Sequence, residues 1–326
     1  MRIVESMGRV TLTAVMALLA LPWSAADAAA IVAAPPALLQ ASAEDPVAMV
    51  VRVTGSVQVR RTSGAVPATV GMRLMAGDRL EVPSGAQAII LYVSGRRETV
   101  TQSLAIAAPE QAQRAGVFDR TVSTLNAVAS SDARQQPNRQ GMIRPIAGAP
   151  TLMAPRNEIL IADLRPTFTW SAVPGATGYV IQVRSEDGLT RKRFNVGGDT
   201  TWTMPASEPP LQPGVEYIWT VGTNQGRVGE EQRFATLDAE QYARIADGMA
   251  ELRAAGLDPW SDGLFLAALI FRDAGLFYEA DRALRQLEAA GGATGQPFYM
   301  LRGEVYDALG MLDDAAAAFD RAAEAR

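Results

Sequence analysis

The chain contains no cysteine and no histidine. That excludes thiol nucleophiles, disulfides, Ser-His-Asp triads and zinc sites built on either residue. Lysine is nearly absent too: Lys192 stands alone, with no Ser-x-x-Lys motif around it and no glycine-rich phosphate loop carrying it. An excess of positive charge is also missing. The formal net charge is -5, so the basic footprint of a nucleic-acid binder is lacking and none is expected as partner. No EF-hand spacing of acids occurs, and no cofactor or metal is expected. Catalysis would have to run on carboxylates, Ser, Tyr or the single Lys. The candidate acids, Asp78, Glu186, Asp187, Asp258 and Asp262, lie in turns or just before a helix, where such residues ordinarily cap and turn the chain. A carboxylate-dependent hydrolase is therefore a minor alternative.

What is present is a well-supplied core. Of 326 residues, 48% are hydrophobic and 20% charged, enough for two or three domains. Residues 1–28 read as a signal peptide. Arg2 and Arg9 form a positive start, Val10 to Leu21 an apolar run, and Ala26-Asp27-Ala28 a cleavage site; Met7 is an alternative start. The run falls short of the roughly 20 residues that span a bilayer. Without Cys at the cleavage site there is no lipid anchor, and no later segment is long and apolar enough to span. The expectation is an exported, periplasmic protein.

Residues 46–107 are β-rich. Val51 to Arg60 alternates with period two, which predicts one half-buried strand. Ala86 to Val93 is apolar on both faces and predicts a central strand. Ser94-Gly95 turns, and Glu98 to Ile106 predicts one more strand. Gly55-x-Val57, Leu74-x-x-Gly77-Asp78-x-Leu80, Gly85-x-x-Ala88 and the Ser94-Gly95 turn resemble the FecR domain family. The resemblance implies an extracytoplasmic β domain. Its best-known members signal to a sigma factor through a cytoplasmic N-terminal region, and the signal-like segment stands in that place here. Residues 108–150 supply a helix and a linker. Pro109-Glu110 starts the helix, Val117, Phe118, Val122, Leu125 and Val128 follow at helical spacing, and polar Ser130 to Gly141 is the linker.

Residues 151–238 read as a sandwich. Ile159 to Ile161 is the expected first strand. Phe168, Trp170, Tyr179, Ile181 and Val183 alternate inward, Asp187-Gly188 and Gly197-Gly198-Asp199 are expected hairpin turns, and Tyr217, Trp219 and Val221 share one face. The run Leu211-x-Pro213-Gly214-x-x-Tyr217 resembles the tyrosine corner of fibronectin type III-like sandwiches, in which the Tyr hydroxyl ties back to upstream backbone.

From residue 239 to 326 the chain reads as helical. Glu240 to Ala254 is an extra helix. Leu264, Ala268, Phe271, Gly275 and Ala280 then line up with Tyr299, Gly303, Tyr306, Gly310 and Ala315, and Leu284 with Phe319. The offset of roughly 35 residues is close to the about 34 of tetratricopeptide repeats, which this part resembles. The resemblance implies helical hairpins that bind protein or peptide. It puts Phe265, Leu269, Arg272 and Asp273, with Met300, Glu304 and Asp307, on the ligand side. Arg60, Arg61, Arg96 and Arg97 are a candidate patch for an anionic glycan or phospholipid.

The fold class expected is thus multi-domain, β then β then α. The function expected is non-enzymatic binding or scaffolding in the bacterial envelope, with a protein or peptide partner. Peptidoglycan or another envelope glycan is the alternative partner.

Overall fold

A computed structural model describes residues 45–107, 116–130, 146–156, 158–292 and 294–325. The signal-like segment, Pro109-Glu110 and residues 131–141 of the expected linker lie outside the described residues. Among the described residues no helix is long and apolar enough to cross a membrane.

The first β unit holds eight short strands: β1 (Ala48–Thr54), β2 (Gln58–Arg61), β3 (Gly64–Pro67), β4 (Arg73–Leu74), β5 (Arg79–Glu81), β6 (Gln87–Tyr92), β7 (Arg97–Val100) and β8 (Leu104–Ala105). They form two four-stranded sheets, β4-β1-β6-β7 and β3-β2-β5-β8. The single strand expected over Val51 to Arg60 is therefore two strands in two sheets. The break falls at Gly55, whose φ of 78° favours glycine. The expected alternation itself holds: Val51, Val53, Val57 and Val59 are buried, whereas Thr54, Ser56, Gln58 and Arg60 are exposed and Arg52 is half-buried; only the preceding Ala48, Met49 and Val50 are inside without a break. Glu98 to Ile106 likewise divides between the sheets, as β7 and β8. Ala86 to Val93 does supply a central strand: β6 lies between β1 and β7.

The second unit is a β-sandwich. Its strands are β9 (Leu152–Ala154), β10 (Ile159–Ile161), β11 (Thr167–Trp170), β12 (Tyr179–Ser185), β13 (Arg191–Val196), β14 (Thr201–Thr203), β15 (Glu216–Thr223) and β16 (Gln232–Thr236). One sheet runs β14-β11-β9, the other β10-β16-β15-β12-β13. The sheets face each other through aromatic rings. Phe168 on β11 meets Trp219 on β15 at 4.8 Å and Phe234 on β16 at 6.1 Å between centroids. All five side chains expected to point inward from β11 and β12 are buried. Two expectations change. The first strand is β9, whereas Ile159–Ile161 joins the other sheet, parallel to β16. Gly197-Gly198-Asp199 is a crossing between sheets: β13 pairs with β12, and β14 with β11. Trp202 then stacks on Phe168 and Phe194 rather than extending the hairpin.

Helices complete the molecule: α1 (Gly116–Ser130), α2 (Ala239–Ala254), α3 (Leu264–Asp273), α4 (Phe277–Ala289), α5 (Gln296–Ala308) and α6 (Leu312–Glu324). Asp238 and Gln241 cap α2 reciprocally, satisfying two backbone donors. The last four helices pair as hairpins, α3 with α4 and α5 with α6. Small residues set their closeness. A Cβ placed on Gly303 would lie 2.4 Å from the Phe319 ring, so α6 approaches α5 only because that position is glycine.

Candidate interaction site

The inner face of the helical hairpins is where the sequence points to a ligand. In the folded chain that face is covered from within. α1 lies against α2, α3 and α5, burying Phe118, Leu125 and Val128 together with Thr121 and Thr124. Thr124 donates its hydroxyl to Asp273, and Arg120 pairs with Glu251 at 3.0 Å.

The expected ligand-side residues take several roles. Phe265 and Leu269 are buried, so they hold the molecule together and do not present themselves to solvent. Phe265 meets the first β unit: a Cβ on Gly71 would lie 2.9 Å from its ring and 2.8 Å from Pro297. Arg272 is held by Glu304 at 2.7 Å and Asp273 at 3.0 Å. Its charge is favoured by those two carboxylates against the cost of burial. Glu304 is itself buried, and Asp307 is half-buried. Met300 remains at the border of an open cleft.

That cleft has a volume of about 810 Å³ and lies where the first β unit, α1 and α5 meet. Met72 and Met75 line it from the β unit, Leu125 and Val128 from α1, and Pro297 and Met300 from α5. Arg61 and Arg73 stand at its edge. Arg73 reaches Asn126 at 2.6 Å, and burial lowers its pKa. Sequence reasoning found Met300 by repeat alignment but missed Met72 and Met75. They lie among very short strands that carry no repeat signal, and only the docking of two distant units brings them to α5.

The four arginines of the candidate anion patch come from two sheets, Arg60 and Arg61 on β2 and Arg97 on β7 with Arg96 just before it. Arg60 forks onto Glu81, with its shorter contact at 2.5 Å. Arg61 holds Asp78 at 3.3 Å and the Arg73 carbonyl at 2.7 Å. Arg96 stacks over Tyr92 and pairs with Glu98. Arg97 reaches across to Asp262 at 2.9 Å, where Arg52 also arrives at 3.0 Å. Every one is matched by an acid within the chain.

The acids weighed for catalysis are committed in the same way. Asp78 accepts the Met75 amide, Asp187 accepts Leu189 N–H and the Ser185 hydroxyl, and Asp258 accepts Trp260 N–H and the Ser261 hydroxyl. Glu186 pairs with Arg233, and Asp262 joins the first β unit to the helices.

A third junction links the sandwich to the helices. Arg156 donates to the Leu309 carbonyl at 2.9 Å, Tyr242 donates to the Ala162 carbonyl, and Glu279 accepts the Ala162 amide at 3.4 Å. Burial pushes the Tyr278 hydroxyl up to about 12 and raises the Glu279 carboxyl. The second Glu279 oxygen is buried without a hydrogen-bond partner.

The strand order, the facing aromatic rings and the Tyr217 corner define a fibronectin type III-like β-sandwich, here flanked by a β unit and a helical unit. Similar solved structures include two fibronectin type III domains of chicken tenascin, at 13% identity over 58% of this chain and 92% of that one, with a TM-score of 0.19. The FN1-FN3 domains of chicken CNTN1 match at 9% identity over 59% of this chain and 62% of that one, TM-score 0.20. A structure described as a myokine matches at 16% identity over 29% of this chain and 97% of that one, TM-score 0.21. No family model and no curated protein matches the chain.

Proposed function

We propose that this chain is a non-enzymatic binding or scaffold protein of the bacterial cell envelope, exported to the periplasm, whose partner is a protein or peptide. In this reading residues 46–107 are a FecR-like domain and residues 239–326 are tetratricopeptide-like hairpins. The observation that carries it is the open cleft of about 810 Å³ bordered by Met72, Met75, Met300 and Pro297. Ligand sites are concave and mostly apolar, commonly about 300–1,000 Å³, and methionines adapt to irregular apolar partners. The arginines that would meet an anionic glycan already pair with acids of the chain.

Photo-crosslinking in intact cells tests the reading. A photoreactive residue at Met75 or Met300 should give a discrete protein adduct, and one at Leu189, exposed on the sandwich hairpin, should not. The Met72→Glu change should remove the adduct. Failure to form it, or sedimentation of the purified protein with peptidoglycan, would overturn the proposal in favour of no partner here or of a glycan.

A further inference from the structure

The junction between the sandwich and the helices holds a concavity of its own, with a volume of about 330 Å³. That lies at the lower end of the about 300–1,000 Å³ of small-molecule sites. Two periodicities build its walls. On β11 Phe168 and Trp170 turn into the sandwich core, so Thr167 and Thr169 fall on the opposite face of the strand and line the cavity. On α4 Ala280, Leu284 and Leu287 are buried in the helical hairpin. Tyr278, Glu279 and Arg282 of the same helix form the facing wall. Pro155, Ile161 and Pro166 give the cavity its apolar lining. Its charged groups are the ones the fold leaves unsettled. One Glu279 oxygen accepts the Ala162 amide at a long 3.4 Å, and the other is buried with no hydrogen-bond partner. An acceptor left in that state costs free energy until a donor reaches it. Asp163, also in the lining, is exposed and commits one oxygen to the Arg165 amide at 2.8 Å. Arg282, unlike Arg60, Arg61, Arg96 and Arg97, pairs with no acid among the described residues; its guanidinium stands 5.9 Å from the Trp260 ring centroid.

We propose that this cavity binds a free diamino acid: a small molecule with an α-ammonium, a carboxylate and a second ammonium on an alkyl chain. One ammonium donates to Glu279 and supplies the partner that its buried oxygen lacks. The ligand carboxylate pairs with Arg282, whose planar fork suits that group. The second ammonium meets Asp163, and the alkyl carbons lie on Ile161 and Pro166. The charges match: two cations and one anion on the ligand face two anions and one cation in the site. A monoamine, or an amine without a carboxylate, leaves one of the three groups unanswered, and specificity follows from that difference. The inference goes beyond the protein-binding reading above and does not depend on it, because neither the methionine cleft nor the inner face of the hairpins takes part.

Isothermal titration calorimetry of the full chain with three probes tests it: L-lysine, L-norleucine and cadaverine. L-Lysine should bind. Norleucine, which lacks the second ammonium, and cadaverine, which lacks the carboxylate, should bind at least about tenfold more weakly. Absence of L-lysine binding overturns the inference, as does equal binding of the three probes. Those comparisons use the wild-type chain alone, so they decide the matter even where a substitution disturbs the fold. Arg282→Met and Glu279→Gln should each weaken L-lysine binding at least about tenfold. Undiminished binding in both variants would place the ligand elsewhere and overturn the assignment. The adducts at Met75 and Met300 report on the protein partner separately, so either proposal can fail while the other stands.

Discussion

The Tyr217 hydroxyl accepts the Gln212 amide hydrogen at 2.8 Å while its ring, wholly buried, stacks on Phe234. The bond spans the turn in which Pro213 and Gly214 bring the chain into β15. It satisfies a backbone donor that would otherwise be left at the edge of the core. Tyr217→Phe keeps the ring and removes the acceptor, so it should cost about 0.5–1.5 kcal/mol, with a further cost if the Gln212 amide stays unpaired. Trp170, buried and set edge-on to Tyr179, is a packing anchor. Trp170→Ala should cost about 3–5 kcal/mol. Urea denaturation of both full-length variants checks the ranking; neutral behaviour of both would remove the sandwich's two main supports from this account.

A second prediction concerns pH. Burial raises the Glu279 carboxyl above its ordinary value of 4.5, with nearby Asp163 adding to the shift and backbone N–H groups and Arg282 opposing it. The unfolded chain therefore releases this proton at lower pH than the folded chain. Its contribution to stability is fully present below about 4.5 and is lost as pH rises through the higher folded value. Glu279→Gln has no such proton to release. The stability difference, variant minus wild type, should become more positive between pH 4 and pH 7, as read by paired urea titrations. A difference that is flat, or falls with pH, would mean the carboxylate is well solvated at the junction.

Glycine substitutions give a third, contrasting pair. Gly303→Ala would put a methyl 2.4 Å from the Phe319 ring, where α5 and α6 pack together. Overpacking of this kind typically costs about 1–3 kcal/mol. At Gly248 in α2, an added methyl would meet Cδ1 and Cγ2 of Ile270 at 3.3 and 3.4 Å and the Arg120 guanidinium at 3.4 Å, contacts that need to give by only a few tenths of an ångström. There the better helix propensity of Ala, about 1 kcal/mol, should offset the crowding, leaving Gly248→Ala near neutral or stabilising. Thermal melts followed at 222 nm compare them. Equal losses at both sites would show that crowding at α6 is not what Gly303 relieves.

Much of this architecture was legible in the sequence, for identifiable reasons. The sandwich declares itself because large aromatics alternate with polar residues over whole strands, as in Phe168 to Trp170 and Tyr179 to Val183. The hairpins declare themselves because Ala280 and Ala315 recur in equivalent buried positions. The first β unit misleads because its alternation runs across Gly55 without interruption; period two is preserved while the chain changes sheets. The candidate site was half-legible. Alignment of the repeats picked the inner face, but nothing local to α3 or α5 says that α1, more than 130 residues before Leu264, would occupy it. Long-range docking of this kind leaves its trace in pairs such as Gly71 with Phe265 and Asp262 with Arg52, which periodicity does not register.

That docking also sets what cleavage of the chain should do. Residues 131–141 are polar and contain Arg134 and Arg139, so trypsin is expected to cut there first. Read from sequence, the two pieces would separate. The folded contacts argue otherwise, because the described residues on both sides of this segment fall in one compact unit. Asp262 receives both Arg52 and Arg97, with side-chain exposures of 24%, 28% and 31%, and Gly71 closes on Phe265 and Pro297. The nicked protein should therefore elute from gel filtration as a single species of unchanged size. Asp262→Asn weakens the join by leaving two guanidinium groups without their carboxylate. Its cost should fall between that of an exposed and a buried pair, about 1–2 kcal/mol. Nicked Asp262→Asn should then dissociate at lower urea than nicked wild type. Separation of the wild-type pieces in buffer alone would show that the two parts associate only through their covalent connection.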